Sequence, residues 1–304
     1  MSTILVTGAS GFLGRHVSRV AATQGHHVIG MGHGDWQEET WRQWGLSAWH
    51  ELDVTLASLV AHVGTPDVLV HCAGSSSVGF SLENPAQDFE RTVVTTLDVL
   101  EYLRTSAPDT ALVYPSSAAV YGQASALPIV EDSPRAPISP YGVHKMMVED
   151  LCRSYGRTFG TRVAIVRIFS AYGVELRKQL LWDAARKAVA GDFRFAGSGR
   201  ETRDWVNAED VARLLLIAGG HAASEAPIVN GSSGIEVANR SVLEALFAGL
   251  GAKGSPEFTG KARSGDPERY AGDPSRASAW GWAPQRAWQE GVREYARWFR
   301  EISD

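Results

Sequence analysis

Thr3-Ile4-Leu5-Val6-Thr7-Gly8-Ala9-Ser10-Gly11-Phe12-Leu13-Gly14 opens the chain, and a helical pattern comes directly after it. A short β-rich run that feeds a glycine turn and then a helix has the order of a dinucleotide-binding turn. The helix aims its free N-terminal amides and positive dipole end at a pyrophosphate. Gly8 can make the tight turn, Gly11 lets the backbone approach phosphate because it has no Cβ, and Gly14 lets the helix pack close to the strand. The spacing is G-x-x-G-x-x-G, and a glycine triplet alone also serves as a plain connector, so its meaning depends on the rest of the chain.

Beyond the turn, strand-like and helix-like patterns alternate. His27 to Met31, Ala48 to Leu52, Val68 to Cys72, Ala111 to Tyr114 and Val163 to Val166 are short apolar runs of the kind found in strands covered on both faces. Helical patterns run over Phe12 to Gln24, Pro85 to Thr105 and Ser139 to Phe159. Repeated βα units predict an α/β protein with a doubly wound parallel sheet and right-handed crossovers. From about Tyr172 the rhythm loosens around Gly197-Ser198-Gly199 and Gly231-Ser232-Ser233-Gly234, so a smaller, irregular second domain is expected there.

A chain of 304 residues suits one large unit with an appendage, and its net charge of -5 includes no Lys/Arg block. No nucleic-acid partner and no membrane surface are expected. No apolar run approaches a membrane span of about 20 residues or has the flanks of a signal peptide, which predicts a cytoplasmic protein. Cys72 and Cys152 suit reduced packing positions, and the scattered histidines lack ligand spacing, so no metal is expected. Trp36, Trp41, Trp44 and Trp49 are expected to pack between elements.

A second constellation is Ser116-Ser117 at the end of the fifth strand, with Tyr141-Gly142-Val143-His144-Lys145 after it. Tyr and Lys four apart share a helix face, so the ammonium can stand beside the phenol and favour its ionised form. Tyr141 is then expected to work as acid or base near neutral pH, with Lys145 also on a nicotinamide ribose and a serine polarising the substrate oxygen. Taken alone, Y-x-x-x-K also occurs on solvated helices; its place after five βα-like units raises the functional reading.

With these motifs in order, the chain resembles the extended short-chain dehydrogenase/reductase family of nucleotide-sugar epimerases, dehydratases and 4-ketoreductases. The resemblance runs from Thr7–Gly14 through Ser116–Gly122, Tyr141–Lys145, Arg167–Gly173 and Arg203–Val206 to Arg263–Pro267 and Trp280–Pro284. It implies a Rossmann-type sheet with a smaller C-terminal substrate-binding domain. Residues 1–172 with about 206–231 would hold NAD or NADP; 173–205 and 232–304 would hold the nucleotide sugar. Ser117, Tyr141 and Lys145 become the catalytic set. Gly8, Ser10, Gly11, Phe12, Leu13 and Gly14 would cradle the cofactor, Asp53 with Val54 would meet adenine, and Cys72-Ala73-Gly74 would line the groove. Ser170, Arg203 and Arg263 fall at substrate positions, the arginines on the diphosphate. Either arginine could instead pair at the surface with Asp204 or Asp266. A homodimer through Asp88–Tyr102 and Ser139–Phe159 is implied as well.

Departures from the family pattern narrow the chemistry. Dehydratases carry an acidic pair just after the catalytic hydroxyl, and this chain has Ala118 and Ala119, so elimination is not expected. The acidic residue that ends the second strand in NAD-retaining members is Gly32 here, with His33 next to it, which leaves NADP open. Ser170 and Thr92 stand where many relatives have asparagine. Arg177-Lys178-Gln179 could touch a phosphate or lie on a solvated loop. Gly32 tips the expected activity toward reduction of a 4-keto-6-deoxy sugar nucleotide. The alternatives are an NAD-dependent C4 epimerase of a nucleotide sugar and, from another class, a nonenzymatic NAD(P)-sensing module, which has no need of a proton-transfer set.

Overall fold

Seven strands form one parallel sheet in the computed structural model, which describes residues 1–75, 77–260 and 268–303. They are β1 (Thr3–Thr7), β2 (His27–Gly32), β3 (Ala48–Glu51), β4 (Val68–His71), β5 (Ala111–Ser117), β6 (Val163–Ile168) and, arriving late, β10 (Ile228–Gly231). Their order is β10-β6-β5-β4-β1-β2-β3. The winding reverses between β1 and β4, which opens a crevice above the carboxyl ends of those two strands, where ligands of doubly wound sheets bind.

Alternation along β1 divides the core. Ile4 and Val6 point to one layer with Val17 and Val211, whereas Leu5 joins Leu59, Leu100 and Val148 in the other. The first layer contains α1 (Phe12–Thr23) and α9 (Ala208–Gly219). The second contains α3 (Leu56–His62), α6 (Thr95–Ser106) and α7 (Pro140–Phe159). Short helices α2 (Glu38–Gln43), α4 (Val78–Glu83) and α5 (Pro85–Phe89) fill the connections. The pattern over Pro85 to Thr105 predicts one helix; the structure instead joins α5 to α6 through a π-helical turn, Glu90–Val94. Trp36, Trp41 and Trp49 pack against the first layer, as expected.

A third core joins α8 (Gln179–Val189), α10 (Asn239–Leu250) and α12 (Trp288–Glu301) around Tyr172, Trp205 and Phe247. With it goes a three-stranded sheet of β7 (Ser170–Tyr172), β9 (Thr202–Asn207) and β11 (Glu236–Ala238). The pair β8 (Arg194–Phe195) and β12 (Glu257–Phe258), with α11 (Ser275–Ala279), completes the set. Among the described residues no helix is long and apolar enough to cross a membrane.

Candidate active site

Local backbone geometry builds the β1–α1 turn. Gly8 has φ 65, and a Cβ on it would lie 2.6 Å from the Ala73 nitrogen at the end of β4. On Gly14 a Cβ would lie 2.2 Å from the Gly8 carbonyl oxygen, so the helix reaches its depth only without a side chain there. The first turn of α1 has no acidic residue and no side-chain cap, which leaves its amides and dipole for an anion. Gly11, with an ordinary φ of -71, is there for room rather than for an unusual backbone angle. These features fit a pyrophosphate. Thr7 and His71 bind the two sides of the crevice, Thr7 Oγ1 to His71 Nδ1 at 2.7 Å, and burial holds the imidazole neutral by lowering its pKa to about 3.

The cleft above the turn has a volume of about 2410 Å³. A single drug-sized ligand occupies about 300–1,000 Å³, so this cleft has space for a dinucleotide and a second ligand together. Ser10, Phe12, Leu13, Gly32, His33, Asp53 and Val54 border one end, and Cys72, Ala73 and Gly74 form the floor. A Cβ on Gly32 would come within 3.3 Å of the Gly8 Cα, which explains glycine at the end of β2. Beside it, exposed His33 and Asp53 pair at 2.8 Å.

Ser117, Tyr141 and Lys145 meet in the middle of the cleft. Strand alternation decides between the two serines: Ser116 donates to buried Glu149 Oε1 at 2.6 Å, and Ser117 faces the cleft. Helix α7 starts at Ser139, whose hydroxyl accepts from the Gly142 amide, with Pro140 at the first position, so Tyr141 lies in its first turn. The Tyr141 phenol is hydrogen-bonded to Ser117. Lys145 Nζ donates to the Pro115 carbonyl at 2.9 Å and lies 4.7 Å from the Tyr114 ring centre and 5.9 Å from that of Tyr141.

The electrostatics correct one expectation. Lys145 does not bring the Tyr141 phenol toward neutrality in the protein alone; burial raises the phenol to about 12, with the Ser117 hydrogen bond acting against it. Burial lowers Lys145 to about 8. Desolvation outweighs mutual attraction because both groups are enclosed while the phenol is uncharged.

Beneath the trio, Arg167 grips Glu149 through Nε to Oε1 at 2.9 Å and Nη2 to Oε2 at 2.7 Å, and its Nη1 donates to Tyr121 Oη at 2.9 Å. One position before Lys145 on α7, His144 turns instead to buried Asp88, Nδ1 to Oδ2 at 2.5 Å.

At the other end of the cleft stand Ser170 on β7 and Arg203 on β9. Arg203 Nη1 donates to the Thr202 carbonyl at 2.7 Å, and Asp266, one of its two candidate surface partners, lies outside the described residues. The Asp204 carboxylate is buried and accepts from the amides of Ser233, Gly234 and Gly272 at 2.7, 3.0 and 3.1 Å. Arg263 lies outside the described residues. Lys178 and Gln179 border the cleft, whereas Arg177 is exposed and pairs with Glu175. Sequence reasoning missed Tyr270, whose hydroxyl lies 2.7 and 2.9 Å from the carbonyls of Ala118 and Gly122, and Arg15, which reaches Glu175. Neither has a local signal, since the partners lie 152, 148 and 160 residues away in sequence.

The model of the NAD dependent epimerase/dehydratase family matches residues 4–230. The chain belongs to this family. Within the family it is 30% identical to a UDP-glucose 4-epimerase of Mycolicibacterium smegmatis, over 98% of this chain and 99% of that one. It is 28% identical to a putative UDP-glucose 4-epimerase of Methanocaldococcus jannaschii, over 98% of each chain. Among solved structures, a dTDP-glucose 4,6-dehydratase of Streptomyces venezuelae with NAD bound is 26% identical, with a TM-score of 0.88 over 98% of this chain and 97% of that one. A UDP-glucose 4-epimerase of Thermotoga maritima, 24% identical over 99% and 100%, shares the fold with a TM-score of 0.88. The expected family and α/β architecture are thus both found, and like other members of this epimerase/dehydratase family the protein is an enzyme of the extended short-chain dehydrogenase/reductase type.

Proposed function

We propose that the protein is an NAD-dependent C4 epimerase of a nucleotide sugar, with UDP-hexoses as the first substrate class to test. The observation that carries this reading is the Ser117–Tyr141–Lys145 trio in one cleft with Ala118 and Ala119 beside it. The set provides a proton acceptor and donor, and these two alanines supply no carboxylate for elimination. The relatives named UDP-glucose 4-epimerases favour this reading over the 4-keto reduction to which Gly32 pointed, and the family description and the NAD bound in the dTDP-glucose 4,6-dehydratase structure favour NAD over NADP.

NAD, which the Gly8–Gly14 turn and Lys145 would hold, would supply a hydride acceptor and donor at C4 and a positively charged ring near the phenol. The protein's own residues do the rest. Tyr141 removes the 4-hydroxyl proton and later gives it back, so no proton is gained or lost overall. Ser117 hydrogen-bonds the same oxygen and keeps it in line with the phenol. Lys145, fixed on the Pro115 carbonyl, orients the cofactor ribose and opposes charge on Tyr141. Inversion at C4 needs room for the sugar to present either face to the cofactor side, and Ala118, Ala119, Ser170 and Ala171 supply small side chains along the cleft. Arg203 is assigned to the diphosphate, with the first sheet as the cofactor unit and the three-stranded sheet with its helices as the sugar-nucleotide unit. A homodimer is also proposed. Val94 and Leu97 beside and on α6, with Val143, Met147 and Phe159 on α7, are exposed apolar side chains on the helices expected to pair.

The test is NMR of UDP-glucose, UDP-galactose and UDP-glucuronate incubated with the enzyme. C4 inversion is expected for at least one, and Tyr141→Phe should keep its NAD while turnover falls about 10²–10⁴-fold. An enzyme that inverts none of these but oxidises NADPH with a 4-keto-6-deoxy sugar nucleotide would replace the epimerase by the reductase. Binding without turnover of any kind would leave a sensing module.

A further inference from the structure

Helix α1 does more than present amides to a pyrophosphate. Two consecutive residues on it grip two consecutive residues of the segment between β7 and α8. His16, buried, lies with Nε2 3.0 Å from the Val174 carbonyl. Arg15 Nη1 pairs with Glu175 Oε2 at 2.8 Å, and both side chains are under 20% exposed, at 18% and 19%. The second terminal nitrogen of Arg15 donates to the Ser10 carbonyl, inside the glycine turn, at 2.7 Å. The guanidinium is further held over Trp36 and Trp44, at 5.6 and 5.2 Å from the ring centres.

The gripped segment is held in an uncommon shape. Glu175 and Gln179 are non-glycine residues in the left-handed region, with φ 68 and 65, and between them Leu176 and Lys178 border the cleft. Such conformations are costly for non-glycine residues and persist where surrounding contacts fix them. Here one contact on Glu175 comes from the helix that faces the cofactor phosphates. We infer that Arg15 and Glu175 are positioning residues through which the occupied dinucleotide turn sets the wall of the nucleotide-sugar site. The two ligands thereby strengthen each other's binding. The inference rests on the nucleotide-sugar reading above. A coupling between sites is reciprocal, so it can be read on either ligand.

The holoenzyme is the material for the test, and the readout is the rate of NAD release into excess scavenger, with and without saturating UDP. UDP should slow release from the unmodified protein about fivefold or more, within the usual range of site coupling. In Glu175→Gly the slowing should shrink below about twofold while release without UDP stays near the parental rate. Glycine adopts φ 68 without strain, so the variant removes the tether and keeps the loop's backbone conformation accessible. Glu175→Gln, which keeps the side-chain length and loses the charge, should give an intermediate loss; Arg15→Lys should retain part of the coupling. Calorimetry of UDP with the unmodified protein separates the failures. If UDP does not bind, the nucleotide-sugar reading falls and this inference with it. If UDP binds but leaves NAD release unchanged, or still slows it fivefold in Glu175→Gly, only the coupling is overturned. Faster release to the same extent with and without UDP would reduce the pair to a structural contact and also overturn it.

Discussion

At the dinucleotide end of the cleft, Gly14 meets Gly8 backbone to backbone within one turn of chain, whereas at the sugar end Asp204 gathers amides from Ser233, Gly234 and Gly272. The first end has a local core, the Gly8–Gly14 contact at the start of a helix, which other strands then approach closely at Ala73 and Gly32. The second is specified at long range, by side chains that reach across 29 to 68 residues of sequence. Local construction makes a site recognisable from its motif. Long-range construction leaves no such motif.

Four variants probe that difference through the free energy of unfolding. The largest effect is expected from the bridge between the two ends. Glu149→Ala leaves the Arg167 guanidinium buried without its carboxylate and should cost about 3–5 kcal/mol. Urea unfolding checks this, and a loss below about 1 kcal/mol would show that water or another acceptor satisfies the arginine. Gly14→Ala should come next with about 3 kcal/mol, because the new Cβ would stand 2.2 Å from the Gly8 oxygen. It should also abolish NAD retention, read by absorbance of the released nucleotide. Asp204→Asn should cost about 2 kcal/mol, since one of its two oxygen acceptors becomes a donor facing amides. Its weakening should appear in UDP binding and spare NAD, and an equal loss of both ligands would break the contrast between the ends.

The smallest effect is a pH dependence. Burial lowers His71 to about 3 and His16 to about 4, so below pH 6.5 the unfolded chain binds protons that the folded chain refuses. Stability therefore falls as pH falls, by about 1 kcal/mol between pH 7 and pH 6 for the two together. His71→Gln should remove about half of that slope in urea midpoints measured at both pH values; an unchanged slope would mean that His71 contributes none of it.

Legibility divides along the same line. The turn at Gly8, Gly11 and Gly14 and the pair Tyr141 and Lys145 are visible in sequence because spacing on one turn or one helix fixes their relation, whereas Ser117 is singled out from Ser116 by the family resemblance alone. The late return of Ile228–Gly231 to the edge of the first sheet is legible from the family pattern rather than from periodicity. Tyr270 and Glu175 are not legible, because their partners come from other elements and no spacing encodes them. The field at Tyr141 escapes the sequence for a related reason. Helical spacing places Lys145 nearby, but the degree of enclosure, which dominates the pKa, is a property of the whole fold.

The π-helical turn at Glu90–Val94 has a consequence for insertions and deletions. In an uninterrupted α-helix, Asp88 and Thr96 would diverge by roughly 80° around the axis, since eight steps of about 100° overshoot two full turns. The wider turn holds that drift back, and both residues point inward: Asp88 to His144, and Thr96 to His71 at 3.2 Å from Nε2. Deleting one codon between Glu90 and Val94 would restore regular helix and spare the reading frame. Seven steps of about 100° then fall only about 20° short of two turns, so Asp88 and Thr96 would keep their shared inward face. This stretch should therefore tolerate the loss of one residue, with Asp88 still on His144 and Thr96 still on His71.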